Sequence, residues 1–235
     1  MQSFTRTIAV AGQDMELYGS RPEVAGPFAG IVVIQHAPGV DDFIRAMVDR
    51  LAQAGYLAVA PALYHRQTAP GAPLELMGRL KDREVIADVN ATVEHLARDP
   101  EVDGQRLGIV GFCMGGRVTY LMAAANPAFK AAVAYYGGNI MVPWGDDVPA
   151  PFERTDDVHC PLLFHFGAED TNPSPQDMAK LDAELTGHGK AHEFHVYQGA
   201  GHAFMNFSVP ERYRESAAEA SWPRTLDFLA RHLVG

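Results

Sequence analysis

The chain has 235 residues, of which 47% are hydrophobic and 20% charged, and its formal net charge is −10. We expect one α/β domain spanning residues 1–235, with an acidic surface that argues against nucleic acid as a partner. The first residues lack the apolar core of a signal peptide and no segment reaches the roughly 18 apolar residues of a membrane span, so we expect a cytoplasmic protein with no membrane partner.

The predicted elements begin with a short hairpin, in which residues 5–10 and 15–19 flank a glycine-containing turn. A loop rich in proline, glycine and alanine leads to residues 31–34, a continuous apolar run typical of a strand buried on both faces. Asp41 or Asp42 is expected to cap the next helix, which carries its apolar residues on one face.

Strands and helices alternate over the rest of the chain. The predicted strands cover residues 57–60, 107–110, 131–136, 162–166 and 193–197, and the predicted helices cover residues 73–98, the stretch containing Val118, Leu121 and Met122, residues 174–186 and about 211–233. This alternation predicts a mostly parallel central sheet with helices on both faces. In such sheets the reacting groups gather beyond the carboxyl ends of the strands.

The segment Gly111-Phe112-Cys113-Met114-Gly115-Gly116 stands between a predicted strand and a predicted helix. This is the layout of a nucleophile elbow, with cysteine where most hydrolases carry serine. Glycines two positions before and after Cys113 leave room for a sharp turn. The positive end of the helix dipole favours the thiolate of a cysteine placed there. Cys113 is therefore the predicted nucleophile.

Two further groups follow later strands in the order that α/β hydrolases use. Asp170 comes after the strand at 162–166, and His202 comes after the strand at 193–197. A lone cysteine, aspartate or histidine is more often structural, but their order and shared sheet edge together indicate a triad. His202 would accept the thiol proton and later deliver it to the leaving group, while Asp170 would orient the imidazole.

A tetrahedral intermediate also needs hydrogen-bond donors for its oxyanion. The backbone N–H of Met114, directly after the nucleophile, is one expected donor. The other should come from the loop after the strand at 31–34, where Ala37 is the favoured residue because Pro38 has no N–H.

The second cysteine and three clustered histidines are expected to be structural. Cys160 precedes a strand and so lies at the sheet edge opposite Cys113, on the order of 20 Å away, which is too far for a disulfide. His192 and His195 point to opposite faces of a strand. Together with His188 they are not expected to bind a metal ion.

The loop from residue 138 to residue 160 is long and irregular, and it carries Trp144 among several prolines and acidic residues. Loops of this length often act as lids over a site. The apolar residues could equally pin the loop to the surface, and the sequence leaves both interpretations open.

These features resemble the dienelactone hydrolase family of α/β hydrolases, also described as carboxymethylenebutenolidase-like. The matching pieces span nearly the whole chain and comprise residues 35–40, 55–56, 61–64, 111–116, 135–137, 164–167 with Asp170, and 201–204. The resemblance implies the α/β-hydrolase fold, hydrolysis of a small-molecule ester or lactone, and no cofactor. The founding substrate of the family is the enol-lactone of aromatic degradation.

The chain departs from the founding members at two places. His36 stands where they carry a glutamate that helps switch the thiol on when substrate binds. The histidine could support a standing thiolate or merely pack, and we expect a role near the sulfur. Founding members also carry an arginine shortly after the catalytic histidine, whereas this chain has Met205-Asn206. We therefore expect an ester or lactone less acidic than the dienelactone.

The remaining candidates are side chains that could bind substrate or tune the nucleophile. They are His36, Tyr64, Arg79, Arg83, Trp144 and Phe204, with Arg79 and Arg83 able to supply a cation if they are not simply solvated. The leading hypothesis is a cysteine-dependent hydrolase, acting as a monomer or homodimer. The alternative is a small-molecule binding protein that kept the fold without the activity. A thiol redox sensor is disfavoured because no resolving cysteine lies near Cys113.

Overall fold

An eight-stranded sheet forms the centre of the chain in the computed structural model, which describes residues 1–234. Its strands are β1 Gln2–Val10, β2 Gln13–Arg21, β3 Phe28–Ile34, β4 Leu57–Pro61, β5 Val102–Phe112, β6 Phe129–Tyr135, β7 Leu162–Gly167 and β8 His192–Tyr197. Their order across the sheet is β1-β2-β4-β3-β5-β6-β7-β8. The pairs β1–β2 and β2–β4 are antiparallel, and all other neighbouring strands are parallel.

Helices cover both faces of this sheet. They are α1 Asp42–Gln53, α2 Pro73–Gly78, α3 Asp82–Arg98, α4 Met114–Ala125, α5 Pro175–Gly187 and α6 Glu215–Leu233, with a 3₁₀ segment at Pro151–Asp157. Successive strand residues point to opposite faces, so Ile31 and Val33 belong to the buried cluster under α1 and α6, while Val32 and Ile34 belong to the cluster under α3, α4 and α5. The α/β-hydrolase fold, with a mostly parallel sheet between two helical layers, is confirmed.

The prediction of one helical stretch over residues 73–98 was wrong, because the chain forms two helices with a break between them. Leu80 turns into the core at the break and is 7% exposed. Asp82 begins the second helix, and its backbone N–H donates to the carbonyl of Trp144 at 2.7 Å. Trp144, which is distant in sequence, therefore fixes the start of α3. The hydrophobic periodicity of residues 73–98 contains no information about this contact.

Other boundaries differ only at the ends. The final helix begins at Glu215 rather than near residue 211, and Asp41 is the residue that caps α1, accepting a hydrogen bond from the Ile44 N–H at 3.1 Å. Cys113 and Cys160 are both free thiols, as expected. No helix among residues 1–234 combines the length and apolarity that crossing a membrane requires.

Candidate active site

Cys113 lies on a strained turn between β5 and α4, with φ +57° and ψ −120°. The turn is tight because backbones approach closely on both sides of it. A Cβ atom on Gly115 would lie 2.5 Å from the Ile34 carbonyl oxygen, and one on Gly111 would collide with the backbone of Gly115. The expected glycine requirement is therefore confirmed, and the turn lifts the sulfur above the sheet edge.

The structure brings together the three residues that the sequence singled out. His202 Nε2 lies 3.1 Å from Cys113 Sγ, and His202 Nδ1 lies 2.9 Å from Asp170 Oδ2. Asp170 is buried, and its second oxygen accepts the backbone N–H of Asn172 at 2.9 Å. Each side chain follows the end of a strand, β5, β7 or β8, so the parallel register itself aligns them.

The electrostatics of this group favour a charged pair of sulfur and imidazole. Burial raises the pKa of Cys113, but the His202 hydrogen bond and charge, with two backbone N–H groups, bring it below its ordinary value. Burial lowers the pKa of His202, but Asp170 and Cys113 outweigh that effect and raise it to about 10. Both directions favour a thiolate beside an imidazolium over a neutral pair.

The two expected oxyanion donors both reach the sulfur. The backbone N–H groups of Met114 and Ala37 lie near enough to Cys113 Sγ to lower the pKa of the thiol, so both face the side of the site where the sulfur lies. The Tyr64 hydroxyl donates to the Ala37 carbonyl at 2.8 Å and lies 3.4 Å from Met114 Sδ. Burial raises the pKa of Tyr64, so the hydroxyl keeps its proton and remains a donor.

Tyr64→Phe should lower kcat about tenfold for a small ester while KM changes little. The substitution frees the loop that carries Ala37, and misplacing one oxyanion donor weakens stabilisation of the transition state more than binding of the ground state. Steady-state kinetics check this split. Tyr56→Phe is the control, since Tyr56 is a buried tyrosine of the α1 layer. A rise in KM with unchanged kcat would show that Tyr64 only shapes the pocket.

A depression of about 550 Å³ opens above the sulfur. Its wall is apolar or neutral apart from the reacting groups. The lining comprises Leu74, Met77, Met114, Gly138, Asn139, Trp144, Thr171 and Asn172 with Cys113, Asp170 and His202. No lysine or arginine is among these residues, and the imidazole of His202 is already held between Asp170 and Cys113, so the depression offers no free counter-ion to a substrate carboxylate.

Several sequence candidates lie away from this depression. Arg79 donates to the carbonyl of Ala69 at 2.9 Å, and Arg83 faces the carbonyl of Asp147, so neither supplies the cation considered for the site. Phe204 is fully buried behind the site, packed on Tyr136, and does not reach substrate space. Of the aromatic candidates, only Trp144 lines the depression.

His36 also faces away from the position we expected. Its Nε2 lies 2.8 Å from Asp41 Oδ2, and its ring packs 5.3 Å from the ring of Phe43. The described contacts connect it to the sulfur only through the backbone of the next residue, Ala37. The imidazole thus ties the oxyanion loop to the start of α1.

Sequence reasoning missed an ion pair that supports the wall of the site. Arg117 in α4 is fully buried and binds the Asp82 carboxylate with two nitrogens, at 2.6 and 3.0 Å. Arg117 also donates to the carbonyls of Asn139 and Val142, and its guanidinium lies 3.9 Å from the Trp144 ring centre. The sequence did offer one indication of this pair, because Arg117 is the one charged residue in the otherwise uncharged helix α4.

This ion pair bears on the two interpretations of the loop at 138–160. The Trp144 backbone N–H donates to Asp82 Oδ2 at 2.9 Å, which adds to the carbonyl contacts of Arg117. Residues 139–144 are therefore pinned, and the two ends of this segment, Asn139 and Trp144, line the depression. The histidines at 188, 192 and 195 lie elsewhere, and among residues 1–234 no three His, Cys, Asp or Glu side chains are grouped to hold a metal ion.

Alkylation by iodoacetamide should reveal the charged pair. Because the pKa of Cys113 is lowered, its alkylation rate should hold to a lower pH than that of an ordinary thiol near pKa 8.5, whose rate falls roughly 25-fold between pH 9 and pH 7. Between these pH values the wild-type rate should fall less than the His202→Ala rate, because His202 is the main group that lowers the pKa of Cys113. Cys160, whose pKa burial raises to about 12, is the internal control and should not react. Identical profiles for both proteins would contradict the pair.

Comparisons with known proteins agree with this geometry. The sequence model of the dienelactone hydrolase family matches residues 15–233. A "Putative carboxymethylenebutenolidase" of Salmonella typhimurium is 35% identical over 96% of this chain and 86% of its own length. A "Probable 2-oxo-3-(5-oxofuran-2-ylidene)propanoate lactonase" of Bradyrhizobium sp. is 32% identical over 97% and 94%.

Solved structures give the same result. The crystal structure titled "Putative Dienelactone Hydrolase" from Klebsiella pneumoniae superposes with a TM-score of 0.86 at 35% identity, covering 98% of this chain and all of that one. The similarity thus extends over the entire sheet and the loops that carry the candidate site.

Proposed function

The chain belongs to the dienelactone hydrolase family, and on that premise we propose that it hydrolyses small uncharged esters or lactones through Cys113, His202 and Asp170. The observation that carries this proposal is the continuous contact from sulfur to imidazole to carboxylate, at 3.1 and 2.9 Å. A nucleophile, a base and an orienting group in such contact are what covalent acyl transfer requires.

In the first half-reaction, Cys113 Sγ attacks the carbonyl carbon and the carbonyl oxygen becomes an oxyanion. The N–H groups of Met114 and Ala37 would stabilise this oxyanion, since both lie beside the attacking sulfur. The tetrahedral intermediate then expels the alkoxide, which takes the proton from His202 Nε2. In a lactone the resulting alcohol stays attached to the acyl group.

In the second half-reaction, water attacks the acyl-thioester. His202, now neutral, accepts the water proton, and the thiolate departs to restore the ion pair. Asp170 holds Nδ1–H throughout, which keeps Nε2 directed at the sulfur side. Burial of Asp170 and its hydrogen bond from Asn172 keep this carboxylate in one orientation.

The preference for an uncharged substrate follows from the lining of the depression. It contains no lysine or arginine, its one histidine is already paired with Asp170 and Cys113, and the chain as a whole carries a net charge of −10. A substrate carboxylate would lose its hydration there without gaining a partner. Founding members of the family hold such a carboxylate with an arginine, and Met205-Asn206 occupy the corresponding stretch here.

The test is to mix the protein with p-nitrophenyl acetate and a set of small lactones, and to analyse quenched samples by mass spectrometry. We expect turnover with a transient acyl group on Cys113. A carboxylate-bearing lactone should react more slowly than its methyl ester. The His202→Ala variant should lose turnover, which makes it the matched control for the base.

Two outcomes would count against the proposal. Turnover without an adduct on Cys113 would contradict the covalent mechanism. Binding of these compounds, seen as thermal stabilisation, without any turnover would favour the alternative of a binding protein that kept the fold.

A further inference from the structure

A second depression, of about 420 Å³, lies beside the reactive one. The two share Asn139 and Asn172, whose contact is a hydrogen bond from the Asn139 N–H to Asn172 Oδ1 at 3.0 Å. Apolar side chains make up most of the lining of the second depression. Its apolar lining comprises Ile140, Met141, Val142, Pro173, Met178 and Leu181.

The charges around this depression favour an apolar ligand group over an anionic one. Its one ionisable lining residue is Asp177, and that carboxylate is engaged at the start of α5, where Oδ2 accepts both the N–H and the hydroxyl of Ser174, at 3.0 and 2.7 Å. No basic side chain lines it. An anionic group would therefore find no partner there, and an apolar group would displace water from apolar walls.

The rims of both depressions expose large apolar side chains. Leu74 on the reactive depression is 69% exposed, and Val142 on the second is 48% exposed. Exposed apolar side chains around a concave site mark a place where an apolar ligand is favoured. The two depressions meet at the uncharged side chains of Asn139 and Asn172, so a chain that leaves the sulfur across these two residues reaches the apolar walls of the second depression.

We infer that the second depression is a subsite for the unbranched alkyl chain of an uncharged ester whose carbonyl lies at Cys113. This inference rests on the proposed hydrolase function. It extends that function from small esters to medium-chain ones. Each buried methylene is worth about 0.8 kcal/mol, which corresponds to a roughly fourfold gain in kcat/KM for each carbon that enters the subsite.

The experiment measures kcat/KM for p-nitrophenyl esters from acetate to octanoate, and for alkyl acetates of increasing alcohol length. The test variant is Val142→Trp, which fills the subsite. Arg117 holds the Val142 carbonyl at 2.6 Å, so the backbone should keep its position. The control is Val196→Trp, on strand β8, because Val196 is also 48% exposed but does not line either depression.

The wild type and Val196→Trp should gain activity with chain length in one of the two series, which identifies the side of the scissile bond that the chain occupies. Val142→Trp should lose that gain, at least tenfold for the longest ester, and keep acetate turnover within about twofold. If Val142→Trp does not fold, Met141→Trp replaces it. Equal chain-length profiles for test and control variants, or no gain in either series, would overturn the subsite.

A binding measurement separates this inference from the proposed function. Calorimetry of octanamide and acetamide, which are uncharged and not readily hydrolysed, reports the subsite without turnover. Octanamide should bind at least tenfold more tightly than acetamide to the wild type and to Val196→Trp, but not to Val142→Trp. If no ester is hydrolysed while this pattern holds, the proposed activity fails and the subsite stands. Equal binding of both amides overturns the subsite.

Discussion

Cys113→Ala should lower kcat/KM for p-nitrophenyl acetate and small lactones by on the order of 10⁴-fold. The variant loses the atom that forms the acyl bond, and the imidazole alone cannot replace it. The fold should survive, because alanine keeps a Cβ on the same strained backbone and removes only the sulfur. Thermal unfolding would show this, and progress curves at high enzyme concentration would measure the residual rate.

Cys160→Ala is the control for that experiment. Cys160 is buried among apolar residues and lies outside the depression above Cys113, so its loss should leave kcat/KM unchanged and cost a little stability. Activity of Cys113→Ala within tenfold of the wild type would mean that hydrolysis does not proceed through this sulfur.

Arg117→Ala should destabilise the fold by about 3–5 kcal/mol, the second large effect we expect. Removing the guanidinium leaves Asp82 buried without a counter-charge, and breaking a buried pair on one side carries a cost of this size. It also frees the carbonyls of Asn139 and Val142 and leaves a void beside Trp144. Urea unfolding followed by circular dichroism would measure the loss.

Arg98→Ala is the matched control, since Arg98 is also a helical arginine but pairs with Glu94 on the exposed surface of α3. Its loss should cost well under about 1 kcal/mol. A similarly small cost for Arg117→Ala would show that the pair with Asp82 does not hold the fold. The double variant Arg117→Met with Asp82→Leu should recover much of the stability, because no unpaired charge remains.

The parts of the molecule that could be predicted are those specified locally. Short continuous apolar runs predicted the buried strands, and the glycines around Cys113 predicted the sharp turn. Because the sheet is parallel, the order of Asp170 and His202 behind their strands sufficed to bring them near Cys113. The chemistry of the site therefore follows from short segments plus one topological rule.

The parts that could not be predicted depend on contacts between distant segments. The break before α3 exists because Asp82 pairs with Arg117 and with the backbone of Trp144, and periodicity within residues 73–98 carries no information about either partner. The orientation of His36 depends on Asp41 and Phe43 in the same way. Side-chain direction in a loop is a tertiary property.

Arg117 holds residues 139–144 in a way that allows substrate selectivity to change without a change in the backbone. It grips this segment through the carbonyls of Asn139 and Val142, and carbonyls are present whatever side chain a position bears. Met141 and Val142 can therefore be exchanged while the path of the chain stays fixed. A library confined to these two positions should retune which molecules are accepted without rebuilding the scaffold, which makes the segment a natural starting point for redesign.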